Sequence, residues 1–206
     1  MRTFVTEPVV LAMFGELLQP LQPVRYLLPY STVQELPLLV NENLSADAAE
    51  QATIRANIER LIRFFENPFV RKQAESCLTA PWAVSKPILY NQQVTFQVVN
   101  AVDTAAYGET FDPIETELIV LAVKENVPLL TEEPSLQARI VDAEIPVQVF
   151  DVSDFEFALE EELPGHSRET EPATRRNRTF ANALPAIIFG GFLLILLTAL
   201  IMTFFL

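Results

Sequence analysis

Residues 112–134 read DPIETELIVLAVKENVPLLTEEP. The stretch carries the signals of a helix, a buried strand and the turn beyond it. Asp112 is a good helix cap. Pro113 suits the first helical position because it has no amide hydrogen to leave unpaired, and Glu115 falls third, facing free backbone amides. The apolar run ELIVLAVKEN carries the helix to about Asn126. VPLLT (127–131) then reads as a strand buried on both faces, as strands of a parallel sheet are. PSLQARIVDA follows as a helix and VQVF (147–150) as a last strand.

Working back toward the start, RTFVT (2–6) and VRYLL (24–28) read as two further strands. An apolar helix opens at Pro8 between them and ends near Pro20. After the second strand, Ser31 and Gln34 stand at the cap and capping-box positions of a helix that Pro37 should kink or shorten. Residues 46–66 form the clearest helix, with Ile54, Ile58, Leu61, Ile62 and Phe65 at helical spacing. Asn67-Pro68 breaks it, and a shorter helix runs to about Leu78. TAPWAVSKP (79–87) reads as irregular. Residues 91–106 read as a helix on length, although QQVTFQVVNAV is rich in β-branched residues.

Strands alternating with helices predict an α/β fold in three layers, α/β/α, around a central parallel sheet of about four strands. Ligands meet such sheets at the carboxyl ends of the strands. The residues there are Thr6 and Glu7, Pro29 to Ser31, Thr131 to Glu133, and Asp151.

The predicted domain organisation is a soluble domain over 1–163, a polar linker over 164–183 and a transmembrane helix over 184–206. The last 23 residues, LPAIIFGGFLLILLTALIMTFFL, carry no charge. As a helix they span roughly 34 Å, against a hydrocarbon core of about 30 Å. Arg175, Arg176 and Arg178 precede the span, and basic flanks stay in the cytoplasm. The expectation is a single-pass, tail-anchored membrane protein with its soluble domain on the cytoplasmic side.

Up to Pro164 the chain holds 10 Lys and Arg against 25 Asp and Glu, a net charge of about −15. That sign disfavours nonspecific nucleic-acid binding and adsorption to anionic lipid. The single cysteine, Cys77, excludes an internal disulfide. With five glycines, the chain offers no glycine-rich phosphate loop, and it carries no Cys/His metal pattern. His166 lies in the linker, with no partner in the pattern.

The layout resembles the PIN domain, the fold of many toxin–antitoxin ribonucleases. YLLPYSTVQEL matches that family's second strand and the helix carrying its glutamate, which puts Glu35 at that position. Glu115 takes the place of a helix-opening Asp, with Ala122 seven residues on. Thr131-Glu132-Glu133 matches a Thr-x-Asp strand end, with Glu133 at the terminal acid. RTFVTEPVVLAMF matches the first strand and helix, but Thr6 stands where the family has its first Asp, with Glu7 beside it. The likeness covers roughly residues 2 to 150.

The resemblance implies catalytic and metal-ligating roles for Glu7, Glu35, Glu115 and Glu133, with Thr6 and Thr131 in support, and Mg²⁺ or Mn²⁺ as the ion that activates water for RNA cleavage. Each residue also has a structural reading. Glu115 and Glu35 suit first-turn positions of helices, Glu133 precedes the helix at Pro134, Glu117 faces solvent or supports the site, and the threonines cap strand ends. Two functions follow. One is a tethered binding module with a degenerate nuclease site, taking a protein partner; the other is an active Mg- or Mn-dependent endoribonuclease held at the membrane, taking RNA. An adaptor that recruits a basic partner and a homodimer through the helix at 8–18 are further expectations.

Overall fold

The computed structural model describes residues 1–102 and 106–160. In chain order the elements are β1 (Arg2–Val5), α1 (Pro8–Met13), β2 (Val24–Pro29), α2 (Tyr30–Leu39), α3 (Ala48–Glu66), α4 (Pro68–Glu75), β3 (Ile88–Leu89), β4 (Val94–Val99), α5 (Pro113–Glu125), β5 (Leu129–Leu130), α6 (Pro134–Asp142), β6 (Val149–Phe150) and α7 (Val152–Glu160). Short 3-10 turns follow α1 at Gly15–Leu18 and α4 at Ser76–Thr79. No helix among the described residues is long and apolar enough to cross a membrane. The linker and the span expected at 184–206 lie outside the described residues.

The sheet has six strands in the order β3-β4-β2-β1-β5-β6, not about four. All neighbours run parallel except β3 and β4. Of the two extra strands, β4 lies in the segment expected to be helical and β3 just before it, after the stretch expected to be irregular. Val94, Phe96 and Val98 are buried on one face while Thr95 and Gln97 alternate with them. That period of two, filled by β-branched and aromatic side chains, is strand chemistry. Length misleads here because residues 88–99 are a hairpin rather than one element. The Asn91 side chain makes its turn, accepting from the amides of Gln93 and Val94, both at 2.8 Å.

Connections run from β1 to β2 to β4 in one direction across the sheet, then return to β5 and β6 in the other. Right-handed crossovers therefore place helices on opposite faces for the two directions. Phe4, Tyr26, Leu28, Phe96 and Leu130 pack with α1, α3 and α7 on one face. Their neighbours in sequence, Val5, Leu27 and Leu129, pack with α5 and α6 on the other. Phe155 of α7, an element the sequence reading did not anticipate, lies 5.0 Å from the Phe4 ring and 6.2 Å from Tyr26, centroid to centroid.

Side chains cap α3, where Asp47 accepts from the amides of Ala49 and Glu50, and α5, where Asp112 and Glu115 complete the expected capping box. They do not cap α2, which begins at Tyr30. Ser31, expected to cap it, turns instead to Glu117 of α5. α2 accepts Pro37 and continues to Leu39.

The carbonyls left unpaired at the end of α1 and in the turn after it are satisfied from a distance. Asn57 of α3, buried, donates to the Ala12 carbonyl at 2.9 Å, Tyr26 donates to Leu17 at 2.8 Å and Asn91 to Leu18 at 2.7 Å. Asn57→Ala strips the Ala12 carbonyl of its donor without admitting water. It should lower stability by about 1–3 kcal/mol, seen as a lower urea midpoint with an unchanged slope.

Candidate functional site

All the parallel strands release their carboxyl ends at one edge. The chain reverses its direction across the sheet between β1 and β5, and a crevice at such a point is where open α/β sheets take ligands. Thr6 and Thr131 follow these two strands. The Thr6 hydroxyl, fully buried, donates to the Leu130 carbonyl at 2.9 Å. Thr131 Oγ1 accepts from the Glu133 amide at 3.2 Å. Both hydroxyls stitch the strand ends, as their structural reading expected.

Glu7 is the residue preceding α1, yet its carboxylate makes no cap hydrogen bond there. Its pKa is pushed up to about 7, first by burial and then by the negative charges of Glu133, Asp112, Glu35 and Glu115. The other three glutamates of the expected site are thus within electrostatic reach of Glu7, with Asp112 as a further acid. The glutamates come from the turn between β1 and α1, from α2, from α5 and from the turn before α6, far apart in sequence.

The cation among them was not anticipated. Arg139, on α6, forms a two-pronged pair with Glu115: Nη1 donates to Oε2 at 2.8 Å and Nη2 donates to Oε1. The same Nη2 lies 3.7 Å from Glu133. The guanidinium also donates to the Thr110 carbonyl at 3.0 Å and sits over the Phe111 ring at 5.3 Å from its centroid. Its pKa is raised above the ordinary arginine value, first through the hydrogen bond to Glu115, so it is a permanent charge. One signal pointed to it: Arg139 is the single Lys or Arg between Lys124 and Arg168.

Glu115 is therefore fully engaged. It is 8% exposed, accepts from the Asp112 amide at 2.9 Å and holds the guanidinium with both oxygens. Its structural reading as a cap holds, with the arginine added. Glu133 accepts from Ser135 and faces Arg139. Glu35, half-buried on α2, is not in that helix's first turn. Glu117 supports the site from outside by accepting from Ser31, which ties α5 to α2. Glu132 turns the other way and accepts from the Val152 amide at 2.5 Å, holding the start of α7; burial raises its pKa.

A divalent ion does not fit this donor set. No three His, Cys, Asp or Glu side chains among the described residues are grouped closely enough to hold a metal. The acids are near enough to repel and too far apart to chelate. Mg²⁺ demands near-octahedral oxygen geometry, and here two of Glu115's lone pairs already face a guanidinium. Two clefts elsewhere on the domain, of about 190 and 260 Å³, include none of the four glutamates.

Two measurements check these electrostatics. An acid whose folded pKa lies above its unfolded one binds more protons when folded, so it costs stability as pH rises from about 4.5 to about 7. Glu7→Gln should stabilise the domain at pH 8 by an amount of order 2–3 kcal/mol, with the gain gone by pH 4.5; a gain that is the same at both pH values would refute the assignment. Arg139→Met should destabilise the domain at neutral pH, and adding Glu115→Gln should restore part of the loss, because the second change removes the stranded charge. Simple additivity of the two in a double-mutant cycle would show that they do not act as a pair.

No protein-family model matches the chain, and no curated protein matches it.

Proposed function

We propose that the chain is a membrane-tethered binding module, with a PIN-like domain whose metal-dependent nuclease site is degenerate. The observation that carries this reading is Arg139. A guanidinium bonded through both arms to Glu115 and 3.7 Å from Glu133 supplies the positive charge that a nuclease of this kind takes from a divalent ion. Unlike the ion, it has no open coordination position at which to bind and deprotonate water. Thr6, in the position of the first acid, spends its hydroxyl on a backbone carbonyl. A divalent ion would supply an activated water; the residues here supply fixed charge and hydrogen bonds only. The tether rests on the uncharged run 184–206 and the arginines before it.

A second reading, a Mg- or Mn-dependent endoribonuclease, is favoured by one observation. Glu7 lies within the field of Glu35, Glu115 and Glu133 and so supplies an acid beside Thr6, which stands at the first acid's position.

Incubation of the full-length chain in detergent with Mn²⁺ and single-stranded RNA separates the two. The expected result is no cleavage above that of the Glu7→Gln, Glu133→Gln double variant. Mn²⁺-dependent cleavage that this double variant abolishes would establish the nuclease and end the degenerate-site reading.

A further inference from the structure

A cleft of about 260 Å³ opens between the turn after α1 and α7, the last helix among the described residues. Its apolar side is made by Leu21, Phe155 and Leu159, and its rim by Glu16, Glu156 and Glu160. Phe155 and Leu159 are core residues closed beneath it, at 2% and 4% exposure. Leu21 is the contrast: a leucine 74% exposed at the mouth. Gln22, next to it, donates to the Leu159 carbonyl at 2.6 Å. The two walls are therefore pinned to each other at the cleft.

Size and charge together select the occupant. Ligand pockets for small molecules begin at about 300 Å³, so this cleft is better matched to one anchoring side chain of a polypeptide than to a cofactor. No Lys or Arg lines it, whereas three glutamates do. The negative field continues beyond the rim, since the Glu132 carboxyl feels Glu16, Asp151 and Asp154. α7 itself carries Asp154, Glu156 and Glu160 and no basic residue. An apolar side chain entering beside Leu21 would need flanking cations to be welcome there, and like charges would be rejected.

We infer that this cleft is the domain's docking site for a basic segment of a partner protein, an apolar anchor residue flanked by Lys or Arg. The assignment rests on the binding-module reading and gives it a surface. The rim charges set the encounter rate and its salt dependence, while the anchor in the cleft sets the residence time.

The test uses the ¹⁵N-labelled full chain in detergent micelles and a short amidated peptide alternating arginine and leucine. The control is an arginine–glycine peptide of equal charge. The arginine–leucine peptide should shift the amides of residues 16–21 and 155–160, and the control should bind more weakly. Leu21→Gln with Glu156→Lys, both at exposed positions, should weaken binding by roughly tenfold or more while the rest of the spectrum stays in place. Equal binding of the two peptides, diffuse shifts over the acidic surface, shifts confined to another face, or no binding would each overturn the assignment. So would concentration-dependent shifts of the same amides without peptide, which would make a second copy of the chain the occupant. Mn²⁺-dependent RNA cleavage would sink the underlying reading instead, and leaves these shifts untouched.

Discussion

Parallel strands send their carboxyl ends to the same edge, and in this chain acids follow three of those ends: Glu7 after β1, Glu132 and Glu133 after β5, and Asp151 after β6. The fold thereby builds a concentration of negative charge that the protein must contain. β1 and β5 are adjacent because the connections reverse between them. That adjacency brings Glu7 toward Glu133 and, across the crevice, toward Glu115 and Glu35. Two means of containment are visible. Glu7 gives up full ionisation, its pKa rising to about 7. Glu115 is met by the guanidinium of Arg139.

The choice between these follows from geometry. Glu115 stands at the start of α5, where free amides and the helix dipole favour an anion. A neutral acid there would weaken the cap. Glu7 precedes a helix too, but its side chain makes no cap contact, so nothing rewards its charge against the cost of burial. The same residue type at the same sheet edge thus behaves differently according to whether a donor faces it.

The sequence disclosed the fold class because strong local signals agreed with one another. Asp112-Pro113, the apolar run to Asn126 and the buried Leu129 and Leu130 all pointed to a helix feeding a parallel strand, and each is seen. It was misleading over 88–99, where a hairpin closes the sheet's edge. Burial alternates there along the strand, a signal that was present in VTFQV but was outweighed by the length of the segment. α7 went unread because Phe155 and Leu159 are apolar for a tertiary reason, the bare aromatic face of Phe4 and Tyr26. Glu7 and Glu133 were legible from the strand ends they follow, whereas Glu35 and Glu115 lie on helices and were singled out for the site only by the resemblance. Their counter-charge was not legible, because pairing of Arg139 with Glu115, 24 residues apart, depends on how α6 lies beside α5.

The presence of glutamate rather than aspartate at position 115 fits the role the structure gives it. At the third position of a helix, the longer side chain reaches back to the capping residue's amide, which is why glutamate completes a capping box. Here one oxygen accepts both the Asp112 amide and Nη1 of Arg139, and the other accepts Nη2. An aspartate, one methylene shorter, would have to give up either the backbone amide or the two-pronged pairing. Lysine at 139 would fail in the complementary way, since a point charge cannot offer two parallel donors to one carboxylate. The side-chain lengths on both sides of the crevice are therefore matched to each other.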